Sequence, residues 1–248
     1  MRVPFVAGNW KMNTDRASGP ALARAVADAV PDGVDVGIAP PLVYLSAIQE
    51  AIGDRVLLGA QNAYCEPHGP YTGEVSVEML RDVGCDFVIV GHSERRHIIG
   101  EDTELLARKA SAVYNAGLIL VHCVGELLEE REANRTFSVI EQQLAELSPK
   151  MEDPARLVVA YEPVWAIGTG VNATEDQAQE VHAYIRGELA EEWNPQFAQA
   201  VRIIYGGSVT PQNAAGLMGQ PDVDGALVGG ASLKLETFVP IMNAARRQ

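Results

Sequence analysis

The stretch Leu157-Val158-Val159-Ala160-Tyr161-Glu162-Pro163-Val164-Trp165-Ala166-Ile167-Gly168-Thr169-Gly170 sets the reading of the whole chain. Its first five residues form a short apolar, β-branched run of strand length, closed by a carboxylate and a proline. Helical periodicity follows over Asp176–Glu192, opened by Thr174-Glu175-Asp176-Gln177 at capping-box spacing, and a second apolar run follows at Val201–Tyr205. This is one strand, one helix and the next strand.

The same unit recurs in both directions. Further apolar runs stand at Phe5–Ala7, Val34–Ala39, Val56–Ala60, Phe87–Val90, Leu118–Cys123 and Gly225–Val228. Helical patterns lie between them, among them Ala17–Val30, Glu104–Asn115 and Thr136–Leu147. Asp15 is placed to cap the first of these helices and Asp102 or Thr103 the fourth, while Thr210-Pro211 puts proline at a first helical position. Eight repeats at about 30 residues each predict parallel strands with right-handed crossovers. The expected fold is α/β: a closed (β/α)8 barrel, eight parallel strands surrounded by helices. No linker rich in Gly, Pro or Ser interrupts residues 1–248, so one domain is expected.

Bulk properties narrow the function. Of the 248 residues 47% are hydrophobic, enough for a large core, and the formal net charge is −14. That charge argues against a nucleic-acid partner, which would want a basic face. Cys65, Cys85 and Cys123 are far apart and odd in number, which supports neither a disulfide framework nor a metal site. Reduced thiols in the cytoplasm are expected. No signal-peptide run fits near the N-terminus, and no apolar run is long enough to span a bilayer.

In a (β/α)8 barrel the site is built where the strands end. Strand 1 exits into Gly8-Asn9-Trp10-Lys11-Met12-Asn13. A lone lysine there is more often a surface residue, yet the chain has only four lysines against fifteen arginines. Strand 4 exits into Gly91-His92-Ser93-Glu94-Arg95-Arg96, where amides near a helix start disfavour a cationic ring, so His92 can donate a hydrogen bond while neutral. A purely structural histidine is equally compatible; His122 is read as structural. Glu162 closes an apolar strand, and burial is expected to raise its pKa toward the range useful for a base. The segment Pro163, Val164, Trp165, Ala166, Ile167, Gly168, Thr169, Gly170 has the apolar tip and glycines of a lid. Tyr205-Gly206-Gly207-Ser208-Val209 and Val228-Gly229-Gly230-Ala231-Ser232 leave strands 7 and 8, the recurring phosphate loops of this architecture. A carboxylate base, a histidine, a lysine and a phosphate cradle suit proton transfer beside the carbonyl of a small phosphorylated sugar, with no cofactor and no metal.

The segments Gly8–Asn13, Gly91–Arg96, Ala160–Gly170 and Tyr205–Val209 together resemble the signatures of the triosephosphate isomerase family, in order and spacing across the whole chain. The resemblance implies a TIM barrel that interconverts D-glyceraldehyde 3-phosphate and dihydroxyacetone phosphate through an enediol(ate), in glycolysis and gluconeogenesis. By the same resemblance Glu162 moves the proton, neutral His92 polarises the carbonyl, and Lys11 and Asn9 stabilise the oxyanion and bind substrate. A Glu base beside a neutral His is a known pairing in this family. Gly168, Ser208, Gly229 and Gly230 would hold the phosphate, Glu94 would position Lys11, and Cys123 would pack near the base. The loop Gly69-Pro70-Tyr71-Thr72-Gly73-Glu74 resembles the family's interdigitating loop, with Pro70 and Tyr71 in place of the usual Ala and Phe. It implies a homodimer with Thr72 near the partner's site. Two other readings stay open: another sugar-phosphate barrel enzyme, such as an epimerase or phosphorylated-indole synthase, and a silent phosphate-binding barrel.

Overall fold

The computed structural model describes residues 2–148, 150–167 and 172–247. Eight parallel strands close into a barrel in sequence order: β1 (Phe5–Asn9), β2 (Asp35–Ala39), β3 (Leu57–Ala60), β4 (Phe87–Val90), β5 (Ile119–Val124), β6 (Leu157–Tyr161), β7 (Arg202–Tyr205) and β8 (Gly225–Val228). Closure is made by β8 against β1, with Phe5 opposite Gly225 and Gly8 opposite Val228. Helices cover the outside: α1 (Ser18–Asp28), α2 (Leu45–Ile52), α3 (Val77–Val83), α4 (Thr103–Asn115), α5 (Leu128–Glu132), α6 (Thr136–Leu144), α7 (Glu175–Glu192), α8 (Pro195–Ala200), α9 (Ala214–Met218) and α10 (Leu235–Ala244).

Side-chain alternation splits the core in two. Along β6, Leu157, Val159 and Tyr161 face the helices, while Val158 and Ala160 face the barrel axis. Continuing the two-residue period puts Glu162 on the interior register. On β1, Phe5 and Ala7 belong to the interior set, which carries Asn9 to the same mouth. The far end of the interior is filled by aromatics. Phe5 and Phe87 pack edge to face at 5.6 Å, and a Cβ on Gly37 would come within 2.7 Å of the Phe87 ring. A Cβ on Gly59 would overlap that ring outright, so glycine is needed there for close approach.

The helix starts follow side-chain chemistry. Asp15 Oδ1 accepts the Ala17 and Ser18 N–H groups, Asp102 Oδ1 accepts Leu105 N–H, and Thr174 with Gln177 forms the reciprocal box. One boundary differs from expectation. Pro211 lies in a turn ahead of α9, which starts at Ala214, because Thr210 Oγ1 and Asn213 N–H close that turn first.

Candidate active site

The strand ends surround a cavity of about 330 Å³ lined by Asn9, Lys11, His92, Glu162 and the glycine loops after β7 and β8. Glu162 is almost fully buried. Its N–H donates to Val124 O at 2.7 Å, and its carbonyl oxygen lies so close to Gly125 that a Cβ there would run into it. Its carboxylate rests against the exit of β4. Ser93 N–H donates to Oε2 at 2.9 Å, and His92 Nε2 stands 3.0 Å from Oε1.

These partners reverse the expectation for its acidity. Burial does push the Glu162 pKa up, but His92, the Ser93 N–H and the Lys11 charge lower it by more, so the net shift is downward. In this position the carboxylate is held ionised.

For His92 the influences oppose. Burial lowers the ring's pKa, while the Glu162 and Glu94 carboxylates raise it, and the net direction is upward. The hydrogen bonds select the tautomer nonetheless. Glu94 N–H donates to Nδ1 at 3.2 Å, which needs a lone pair there, so the ring proton sits on Nε2 and faces Glu162. A cationic ring would lose that Glu94 contact.

Lys11 reaches the cavity from a strained backbone. Its φ is +51°, a left-handed conformation that costs a non-glycine residue stability. Asn9 Oδ1 accepts the Lys11 N–H at 3.0 Å, and Gln61 Nε2 donates to both Lys11 O and Ala39 O at 2.8 Å. Lys11 Nζ pairs with Glu94 Oε1 at 2.6 Å, but the Glu94 side chain is 43% exposed. An exposed pair of this kind adds about 0–1 kcal/mol, so it directs the lysine rather than stabilising the fold.

The anion loops are held from behind. Asn213 Nδ2 donates to Ser208 O at 3.1 Å, and the fully buried Ser232 donates through Oγ to Gly229 O at 2.7 Å. Gly230 opens a short 3-10 turn, Gly230–Leu233, whose N-terminal amides adjoin the cavity. Gly206 meets the base directly: a Cβ there would lie 2.8 Å from Glu162 Cγ. Of the expected lid, Pro163 to Ile167 are described, with a 3-10 turn over Val164–Ala166, and Ile167 lines the cavity. Gly168, Thr169 and Gly170 lie outside the described residues.

Several contributors had no signature of their own in the sequence. Buried Glu126 accepts the Tyr161 hydroxyl and Trp165 Nε1 and pairs with Arg131, whose guanidinium also covers the Trp165 ring at 4.8 Å. Arg96 donates to Gly91 O and Cys123 O and forks onto buried Glu146 at 2.6 and 2.8 Å. Breaking such a buried pair costs about 3–5 kcal/mol, so it fixes the exits of β4 and β5 together. Cys123 is fully buried, and burial followed by the nearby Glu162 carboxylate raises the thiol's pKa well above its usual value. It is a neutral neighbour of Glu162, unsuited to nucleophilic work. His122 is buried in β5 with Nε2 3.1 Å from Gln143 O, consistent with a structural role. Thr72 stands exposed on a loop beyond the cavity, closed at its base by Tyr64 N–H to Val75 O at 2.8 Å.

The family model for triosephosphate isomerase matches residues 4–245. A triosephosphate isomerase of Magnetococcus marinus is 52% identical, with 98% of each chain covered. Those of Rhodopirellula baltica and Pseudomonas aeruginosa are each 50% identical, covering 97% and 99% of both chains respectively.

Proposed function

The chain belongs to the triosephosphate isomerase family, and from that membership we propose that Glu162 carries the proton in its reaction. That reaction is the interconversion of D-glyceraldehyde 3-phosphate and dihydroxyacetone phosphate, a step of glycolysis. Glu162 removes a proton from the carbon beside the carbonyl and returns it to the neighbouring carbon. His92 donates from Nε2 to the carbonyl oxygen, and Lys11 with Asn9 stabilises the enediolate. Backbone groups at Ser208, Gly229, Gly230 and Gly168 hold the phosphate.

The observation that carries this reading is the 3.0 Å pairing of His92 Nε2 with Glu162 Oε1, in the cavity that also holds Lys11. Substrate oxygen takes the place of the carboxylate at Nε2. Glu162 then loses one of the contacts that lower its pKa, and it becomes a stronger base where a base is needed. A base alone supplies about 10²–10⁴-fold, so the fixed donors around the oxygen provide much of the remainder. Closing the lid to which Ile167 belongs keeps water from an intermediate that can expel its phosphate.

The proposed homodimer is supported by exposed apolar residues at the exits of β1 and β4. Met12 is 95% exposed and Ile98 77%, an arrangement suited to burial against a second copy. The proposed setting is the cytoplasm, where the enzyme serves gluconeogenesis in the reverse direction. Among the described residues no helix is long and apolar enough to cross a membrane.

The test is turnover of D-glyceraldehyde 3-phosphate, coupled to NADH-dependent reduction of dihydroxyacetone phosphate, for wild type and Glu162→Gln side by side. The variant is expected to lose several orders of kcat while keeping phosphate binding. An unchanged kcat would remove Glu162 from its role, and a well-folded, inactive wild type would favour the silent-barrel reading.

A further inference from the structure

Glu162 takes its place from the peptide beside it. Its N–H donates to Val124 O, the last residue of β5, and its carbonyl oxygen lies against the Cα of Gly125. The Gly125 peptide is thus the seat for the Glu162 backbone. Gly125 lies past the end of β5, so no strand ladder fixes it. A side chain does that work instead. Gln143, in the last turn of α6, accepts Gly125 N–H on Oε1 at 2.7 Å and donates from Nε2 to Gly125 O at 3.1 Å. A primary amide offers a donor and an acceptor at one end, which is what an isolated peptide requires of its neighbour.

The same helix end holds the other side of the proton-transfer pair. Glu146 binds Arg96, which donates to Gly91 O next to His92 and to Cys123 O. Gln143 in the last turn of α6 and Glu146 two residues past its end stand three positions apart in the chain.

We infer that Gln143 is a positioning residue for Glu162, acting through Gly125 and touching no substrate. This rests on the reading of Glu162 as the base. Moving a reacting group by about 1 Å costs about 10²-fold in rate, so a loosened seat is felt in the chemical step. It is not felt in the phosphate loops, which Asn213 and Ser232 hold independently.

Gln143→Met keeps side-chain length and removes both hydrogen bonds. It is compared with wild type and Glu162→Gln for kcat, KM, inhibition by glycerol 3-phosphate, and the isotope effect with substrate deuterated at the transferred position. The expected result for Gln143→Met is a kcat lowered about 10- to 100-fold. Glycerol 3-phosphate affinity should stay within about two-fold of wild type, and the isotope effect should rise. A wild-type kcat and isotope effect would overturn the inference. So would kcat and glycerol 3-phosphate affinity falling together, the mark of a purely structural role. If Gln143→Met does not fold, Gln143→Glu keeps the acceptor for Gly125 N–H but sets a carboxylate oxygen against Gly125 O; the same split is expected from it, and its absence overturns the inference. Wild-type turnover by Glu162→Gln is a separate failure, that of the base assignment, and can be told apart whatever Gln143→Met does.

Discussion

Ser93 holds the Glu162 carboxylate at the exit of β4: its N–H donates to Glu162 Oε2 at 2.9 Å, with its hydroxyl 3.4 Å from Oε1. The carboxylate is thus tied to the end of β4, and in the proposed reaction it exchanges these contacts for the substrate. Rate then depends on the room through which it moves.

Gly206 borders that room. Gly206→Ala places a methyl 2.8 Å from Glu162 Cγ, tighter than atoms tolerate. The expected outcome is a loss of about 10²-fold in kcat from misplacement of the base. Steady-state kinetics with a melting curve checks it; full activity in a folded variant would show that the carboxylate never passes there.

Lys11→Ala removes the cation that faces the cavity while Asn9 and Gln61 still hold the backbone. Both turnover and affinity for 2-phosphoglycolate should fall, because one charge serves ground and transition states alike. Calorimetric titration that found affinity retained would put Lys11 outside the site.

Acid should destabilise the fold through two interior histidines. Burial lowers both His122 and His182 to a pKa of about 4, below the ordinary value of 6.5. Below pH 6.5 the unfolded chain binds protons that the folded chain refuses until about pH 4, so stability falls across that window and then levels. Each accounts for roughly 3 kcal/mol over the full window. Glu162 acts in the same direction at lower pH. Its depressed folded pKa gives stability that is present above the unfolded carboxylate's pKa and lost as pH falls through the folded value. Urea midpoints measured from pH 7 to 4 should show a shallower slope for His182→Asn; an identical slope would remove His182 from the account.

Light scattering after size exclusion should give about twice the 26.6 kDa subunit mass. Ile98→Glu, a charge on an exposed apolar residue, should shift it toward the subunit mass and lower activity. A subunit mass for the wild type would end the dimer proposal.

The barrel was legible because each strand carries its own apolar run and the unit repeats. Glu162 and Asn9 were legible as strand-exit residues, the one a carboxylate closing an apolar run and the other leaving the first strand. Less visible was everything that one element does to another. The expected upward shift of Glu162 treated burial alone, whereas His92 and Ser93, nearly seventy positions earlier, decide the sign. Arg96 with Glu146, Gln143 with Gly125, and Gln61 with Lys11 join residues with no common spacing. The positive φ of Lys11 was not read either; local Asn9 and distant Gln61 both hydrogen-bond its backbone.

The aromatic filling of the barrel by Phe5 and Phe87 has a kinetic consequence. With that end filled by rings that Gly37 and Gly59 admit, aldose and ketose share the cavity at the strand exits. Both sugars need the same Lys11, His92 and Glu162, so neither can bind there until the other has gone. Each is therefore a competitive inhibitor of the other's conversion, and the net direction of flux is set outside the protein, by whichever sugar is the more abundant relative to equilibrium.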